Sequence, residues 1–140
     1  MIIKKVGILD PEGKFPNPLN GKPYSPLYSH IADTGTPVLG KGKSGKGWKH
    51  FNTYKDRNRF FKMLQSNQAV LVKAGTGTGK SVMFPKLVCH YFDYKYPIIV
   101  TVPTQKVIES NASYGAMCMD VEYGKEIAMC HGDKQIQQDP

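Results

Sequence analysis

The chain alternates short apolar runs with longer stretches in which apolar residues recur at helical spacing. Two runs, AVLVK at 69–73 and PIIVTVP at 97–103, are short and continuously apolar, which predicts two buried strands. A third run, EIAMC at 126–130, predicts a further strand. Because strands that alternate with helices normally build a parallel sheet covered by helices, the pattern predicts an α/β fold.

Helices are predicted at 53–66, 80–92 and 105–121, where apolar residues repeat every three or four positions. The first helix is expected to end at Asn67 and to leave Phe60 outside its buried stripe. That stripe comprises Tyr54, Phe61 and Leu64. The buried face expected on the third helix comprises Ile108, Ala112, Gly115 and Met119, with Gly124 as the stop signal.

Residues 1–50 differ in composition from the rest, because they hold most of the chain's ten prolines and fourteen glycines. A helix does not tolerate closely spaced prolines, so this segment is predicted to be an irregular extension. DPEG at 10–13 suits a type I turn, and GKGKSGKG at 40–47 predicts a flexible basic linker. The expected organisation is therefore a Pro/Gly-rich extension at 1–50 and an α/β unit at 51–140.

The chain is basic, with 19 Lys and Arg against 11 Asp and Glu and a net charge of +8. Such an excess favours a polyanionic partner, first a nucleic acid and second a membrane surface. No run approaches the roughly 18 apolar residues of a membrane-spanning helix, so no membrane insertion is predicted. Cys89, Cys118 and Cys130 form no CxxC pair. The cysteine pattern predicts free, mostly buried thiols in a soluble, intracellular protein.

AGTGTGKS, residues 74–81, has the spacing of a phosphate-binding loop, although Ala74 stands where the general pattern has glycine. It follows a predicted strand and precedes a predicted helix, whose N-terminal N–H groups favour an anion. The competing stretch at 40–47 has no apolar strand before it, and Gly47 stands where a hydroxyl would bind Mg²⁺. The loop at 74–81 is therefore the predicted nucleotide site.

Each part of this loop has an expected task. Gly77 and Gly79 allow the backbone to approach phosphates closely. Lys80, the predicted catalytic residue, is expected to contact the β and γ phosphates, and the Ser81 hydroxyl is expected to bind Mg²⁺. The predicted cofactor-binding set comprises Ala74, Gly75, Thr76, Gly77, Thr78, Gly79, Lys80 and Ser81.

The nucleotide's base is not specified by any adenine-reading motif. Arg57 and Phe60, on the helix before the loop, are candidates for stacking on the base. The simpler interpretation makes Arg57 a surface residue and Phe60 a core residue.

The loop and its surroundings resemble motif I of superfamily 2 helicases of the DEAH/DExH type. Asn67-Gln68 before the strand and Pro85 in the following helix are found at the same places in that family. VTVPTQKVIESNA at 100–112 resembles motif Ia, which contacts nucleic acid backbone, although both arginines of the family pattern are absent. MDVEYGKEIAM at 119–129 is similar to the family's next helix-Gly-strand segment, and the amino-terminal DPEGK and NPLNGKPYSPLY resemble leaders of helicases of large DNA viruses.

This resemblance implies the amino-terminal part of the first RecA-like domain of a P-loop NTPase, with a parallel sheet. It implies ATP and Mg²⁺ as cofactors and an ATP-dependent helicase or translocase as the whole enzyme. It also implies DNA or RNA as a partner bound through its backbone, in host cytoplasm, a viral factory or a virion. The implied nucleic acid contacts are Thr101, Thr104, Gln105 and Lys106.

Enzymes of this family also need an acidic motif and a second lobe. AMCMDVEYG at 116–124 places Asp120 and Glu122 after an apolar run, but it continues a helical pattern and its acids are not adjacent. The chain is therefore expected to end before the acidic motif, to lack the carboxy-terminal lobe, and to be inactive in hydrolysis by itself.

Two other classes of protein stay open. The first is another phosphate-loop enzyme such as a small kinase, although residues 86–140 contain none of the arginines that a kinase lid normally has. The second is a truncated, non-catalytic module that binds nucleotide or nucleic acid without turnover.

Overall fold

The computed structural model describes residues 16–23, 52–76, 80–132 and 134–136. In chain order the elements within these ranges are α1 (Asn52–Lys55), α2 (Arg57–Ser66), α3 (Lys80–Tyr91), α4 (Gln105–Met119), β1 (Met129–His131) and β2 (Lys134–Ile136). The two strands form an antiparallel pair in which Met129 lies opposite Ile136. The described part of the protein is therefore mainly helical, with one small two-stranded sheet.

The predicted α/β fold, a partial RecA-like P-loop NTPase domain with a parallel sheet, is wrong for the described residues. Neither 69–73 nor 97–103 is a strand, and Leu71 and Ile99 are 93% and 88% exposed instead of buried. The third predicted strand overlaps β1, which pairs in antiparallel fashion. An apolar run becomes a strand only when a neighbouring strand satisfies its backbone N–H and C=O groups, and a local pattern does not reveal that neighbour.

The second and third predicted helices are confirmed with small shifts at their ends. Helix α3 stops one residue before the predicted end at Phe92 and continues through Pro85. Helix α4 starts at Gln105 as predicted and ends at Met119, where Asp120 adopts the left-handed conformation with φ 52°. Gly124, the predicted stop, lies beyond the helix end and has φ 97°.

The first predicted helix is divided at Asp56 into α1 and α2, and it ends at Asn67 as predicted. Phe60, expected outside the buried stripe, is 9% exposed and belongs to the core. Its ring meets that of Phe84 edge-on, with centroids 4.9 Å apart. The predicted stripe is confirmed, because Tyr54 and Phe61 are buried in one core cluster and Leu64 packs against it, so Phe60 widens the buried face.

Helix α3 forms the centre of the core, because Met83 and Leu87 are both 0% exposed. They pack against α1, α2 and α4 through Tyr54, Phe60, Phe61 and Cys118. Burial of this face of α3 contributes the largest part of its stability, since an isolated 12-residue helix is marginal in water. The same packing fixes the direction of the helix N-terminus, where Lys80 lies.

The amino-terminal turn around Asn17 is attached to the far end of α4. The Asn17 side chain is fully buried, and its Nδ2 donates to the Met119 carbonyl at 2.8 Å and to the Asp120 carbonyl at 3.0 Å. Its Oδ1 accepts from the Leu19 N–H at 3.1 Å. These bonds satisfy carbonyls that the end of a helix leaves without a partner. The turn predicted at 10–13 and the linker predicted at 40–47 lie outside the described residues.

None of the three cysteines, all of which lie in the described ranges, forms a disulfide, and Cys130 is exposed. Burial raises the pKa of the Cys89 and Cys118 thiols above their ordinary value, which keeps both protonated at neutral pH. None of the helices in the described ranges is long and apolar enough to cross a membrane.

Candidate nucleotide-binding site

Lys80 is the first residue of α3, and its side chain turns back over the segment that precedes the helix. The Nζ atom donates to the Ala74 carbonyl at 3.2 Å and to the Gly75 carbonyl at 3.4 Å. Both bonds are exposed to solvent. Lys80 therefore lies at the N-terminal end of α3, the end of a helix at which an anion is favoured electrostatically.

The remaining loop residues surround this point as far as the structure describes them. Ala74 is half-buried, while Gly75, Thr76 and Ser81 are exposed. Gly77, Thr78 and Gly79, which were predicted to approach the phosphates, lie outside the described residues. A Cβ added to Gly75 would have nothing within 4 Å, so the space beside Gly75 is open. An incoming phosphate therefore has room on this side of the segment.

The buried face of α3 explains how an exposed lysine is held in place. Phe84 lies one turn after Lys80 and packs against Phe60 of α2. Pro85 has no N–H to donate to the Ser81 carbonyl, so the first turn is joined to the rest of α3 by one bond fewer than usual. The contact between the Phe60 and Phe84 rings therefore helps to hold the first turn of α3, which contains Lys80, against α2.

A cleft of about 400 Å³ adjoins the loop on the side of α1 and α2. One wall consists of Asn52, Thr53, Asp56, Arg59, Phe60 and Met63, and the other of Leu71, Val72, Lys73, Ala74, Gly75 and Phe84. Sequence reasoning missed most of these residues. A helical spacing of three and four residues joins Asp56, Phe60 and Met63, and that spacing is the signal that could have revealed the wall.

The two candidates for stacking on a base have different environments. The Arg57 guanidinium lies over the Tyr54 ring at 4.1 Å from its centroid, and its Nη1 donates to the Tyr54 carbonyl at 3.1 Å. Arg57 is therefore engaged within α1 and α2. Phe60 is a core residue, in agreement with the simpler interpretation, but one part of it also lines the cleft.

The four residues predicted to contact nucleic acid gather at the start of a different helix, α4. Thr101, Thr104, Gln105 and Lys106 are all exposed. Thr104 is the N-cap residue of α4, but its hydroxyl makes no capping hydrogen bond. Gln105 lies beside the turn between β1 and β2, since a Cβ built on Gly132 would lie 3.3 Å from its Nε2. The structure brings these residues to one exposed helix N-terminus.

Asp120, the acid of the rejected acidic motif, lies at a helix end. Residues 105–119 are helical, as the sequence predicted, and Asp120 follows as the C-cap of α4. Its carbonyl accepts the Asn17 side chain at 3.0 Å. Asp120 therefore lies where the amino-terminal turn contacts the end of α4.

A similarity to a known protein extends over nearly the whole chain. No protein-family model matches the chain, and no solved structure matches it. A protein of Acanthamoeba polyphaga mimivirus with the name "Putative ATP-dependent RNA helicase L540" is 35% identical to it over 137 residues. The match covers 96% of this chain and 18% of the mimivirus protein, so the chain spans less than one fifth of that relative's length.

Proposed function

We propose that this chain is the ATP-binding part of an ATP-dependent nucleic acid helicase or translocase of the DEAH/DExH type. The observation that carries the proposal is the position of Lys80, whose Nζ folds over the Ala74 and Gly75 carbonyls at the N-terminus of α3. The mimivirus relative supports it, because its name describes an ATP-dependent RNA helicase and it aligns with 96% of the chain.

Binding of a triphosphate would replace the two carbonyls that the Lys80 ammonium contacts with phosphate oxygens. The two carbonyls are weak, solvent-exposed acceptors, whereas phosphate oxygens are charged and form shorter and stronger bonds with an ammonium group. The N–H groups at the start of α3 would add a favourable dipole. In this proposal the Ser81 hydroxyl is a ligand of Mg²⁺, which would neutralise part of the phosphate charge and orient it.

The direct test is titration of the chain with a fluorescent ATP analogue in the presence of Mg²⁺. We expect saturable binding that unlabelled ATP and inorganic tripolyphosphate both reverse, since in this proposal Lys80 and the start of α3 contact the phosphates. Binding should weaken when Mg²⁺ is removed with a chelator. A flat titration at protein concentrations of hundreds of micromolar would contradict the proposal.

Hydrolysis by the chain in isolation is expected to stay at the background rate. Phosphoryl transfer needs groups that complete the metal shell and orient the attacking water, and we propose that these belong to the acidic motif and the second lobe of a longer enzyme. A phosphate-release assay checks this expectation. Turnover that is clearly above background and is lost in Asp120→Ala would contradict it, because Asp120 would then be catalytic.

Nucleic acid binding is assigned in this proposal to the exposed start of α4. Thr101, Thr104 and Gln105 offer hydroxyl and amide groups, and Lys106 adds a positive charge. Groups of this kind bind phosphate oxygens and do not read bases. The expected binding is therefore independent of sequence, roughly micromolar or weaker, and strongly salt-dependent.

The double substitution of Lys106→Glu and Thr104→Ala should weaken binding to all single strands alike. Loss of one phosphate contact should also flatten the dependence of log K on log salt by about one unit. Fluorescence anisotropy with labelled DNA and RNA strands at several salt concentrations measures both effects. The control is deletion of the basic stretch 41–49. If that deletion removes binding and the double variant does not, the assignment to α4 is wrong.

A further inference from the structure

We propose that the aromatic surface at the carboxy-terminal end of α3 binds the bases of a single-stranded nucleic acid by stacking. This surface, called the aromatic platform below, consists of Tyr91, Phe92, Lys95 and Tyr96. It would contact the same strand whose phosphates are assigned above to the start of α4, so the proposal rests on the proposed function. The platform adds a second contact site, of a different chemical kind, at the opposite end of α3 from Lys80.

The rings of the platform form a continuous series from the core to the surface. Phe61 of α2 stacks on Tyr91, with centroids 5.8 Å apart and planes inclined by 15°. Tyr91 meets Phe92 edge-on at 5.0 Å, and Phe92 meets Tyr96 edge-on at 5.9 Å. The exposed fraction is 3% at Phe61, 40% at Phe92 and 64% at Tyr96. The platform is therefore anchored in the core at one end and open to solvent at the other.

The outer two rings leave aromatic surface in water that a base can cover. In an edge-on pair the edge of one ring covers a single face of the other, so the contact between Phe92 and Tyr96 does not close the remaining faces. A base stacked on either ring removes apolar surface from water, which is favourable. Because every base has a π face, such stacking tolerates any sequence.

The backbone that carries the outer rings is held in an uncommon conformation. Asp93 and Tyr94 both lie in the left-handed region, with φ 56° and 57°. Residues other than glycine rarely adopt it, and they keep it where surrounding contacts enforce it. The Lys86 ammonium lies over the Tyr94 ring at 5.0 Å from its centroid. The turn thereby keeps Phe92 and Tyr96 in contact before any ligand arrives, which reduces the entropy lost on binding.

The charge of the platform favours a polyanion over a second copy of this chain. Lys95, which lies between Phe92 and Tyr96 in the sequence, is exposed, whereas Asp93, the acid of the same turn, is half-buried. Rings for the bases beside a cation for the phosphates are the combination found in sites for single strands. Two copies of a chain with a net charge of +8 would repel each other.

The platform is close enough to the start of α4 to share one strand with it. Thr101, the first of the predicted phosphate contacts, comes five residues after Tyr96. Five residues span at most about 18 Å even when they are fully extended. One short oligonucleotide can therefore place phosphates at the start of α4 and bases on the platform.

The test compares an RNA strand with an abasic strand of the same length, which has the same phosphates but no bases. The unmodified chain should bind the strand with bases about 5- to 150-fold more tightly, the effect of one stacked base. Tyr96→Ala should lose most of that advantage and leave the affinity for the abasic strand unchanged. Tyr96→Phe should keep the advantage, because the ring is retained. Fluorescence anisotropy measures both affinities.

Two matched controls accompany these variants. Tyr114→Ala removes a tyrosine of α4 that is 46% exposed, and it should leave the preference for bases intact. Lys95→Ala should weaken binding of both strands and flatten the dependence of log K on log salt by about one unit. Lys62→Ala removes an equal charge from an exposed position of α2. If Lys62→Ala flattens the salt dependence as much as Lys95→Ala does, the assignment of a phosphate contact to Lys95 is wrong.

The possible results separate the platform from the function on which it rests. If the unmodified chain binds neither strand, the proposed nucleic acid binding fails and the platform fails with it. If both strands bind equally well and Tyr96→Ala changes neither affinity, the contact at α4 stands and the platform is overturned. If Tyr96→Ala abolishes self-association in analytical ultracentrifugation but leaves RNA binding unchanged, the surface joins two copies of the chain and the proposal is overturned as well.

A covalent cross-link gives an independent readout. RNA that contains 5-bromouridine should, after irradiation, cross-link to residues within 91–96. Excess unlabelled RNA should prevent this cross-link, while the same excess of the abasic strand should prevent it less well because it lacks bases. Cross-links confined to α4 or to the β1–β2 hairpin would overturn the assignment of the bases to the platform.

Discussion

Replacement of Lys80 by alanine is expected to weaken Mg-ATP binding by roughly 10- to 150-fold. This range corresponds to the loss of a hydrogen bond to a charged group, which is worth about 1.5–3 kcal/mol. The fold should be unaffected, because Lys80 is exposed and its only described hydrogen bonds go to the exposed carbonyls of Ala74 and Gly75. Titration with a fluorescent ATP analogue measures the affinity, and circular dichroism during thermal unfolding measures the stability.

Lys62→Ala is the control for this experiment as well, because it removes an equal charge from an exposed position of α2. If both variants weaken binding to the same small extent, the effect comes from the net charge of +8 and not from the loop. Unchanged affinity in Lys80→Ala would exclude residues 74–81 as the phosphate site.

Replacement of Leu87 by alanine should lower the free energy of unfolding by about 2–5 kcal/mol, the usual range for a fully buried leucine. Leu87 is 0% exposed at the centre of α3 and packs between α1, α2 and α4. Such a loss is a large fraction of the stability of a small domain. Urea denaturation measures it as a shift of the midpoint with a constant slope.

The chain offers a matched control for this substitution. Leu71→Ala removes the same atoms from a side chain that is 93% exposed, so the free energy of unfolding should change by no more than about 0.5 kcal/mol. Equal losses from the two substitutions would mean that α3 is not the centre of the core. A change of the urea slope in Leu87→Ala would show that the two states differ in compactness from those of the unmodified chain.

Helices α3 and α4 could be predicted from the sequence because a helix is determined by residues three and four positions apart. The strands could not, because pairing depends on a partner that is distant in the sequence. The run at 97–103 has the composition of a buried strand, yet Ile99 is 88% exposed and the run pairs with no strand among the described residues. The burial of Phe60 was missed for a related reason, since the ring it contacts, Phe84 of α3, is distant in the sequence.

The part of the candidate site that lies in one contiguous stretch of sequence could be predicted. The part that is formed by segments packed against each other could not. The glycines, Lys80 and Ser81 form a contiguous motif, and the helix start after them was visible in the sequence. The cleft required knowledge of how α2 packs against residues 71–75, which no local pattern supplies. Its residues therefore emerged from the structure, and the mimivirus similarity alone would not have identified them.

The attachment of Asn17 to the end of α4 has a consequence for the order of folding during synthesis. The two acceptors of its side chain lie 102 and 103 residues later in the chain. A ribosome produces the amino-terminal turn first, so Asn17 emerges long before Met119 and Asp120 exist. Closing a loop of that length has an entropic cost of about 4 kcal/mol, which becomes tolerable once α4 is already packed. The first described segment to be made is thus expected to be among the last to dock.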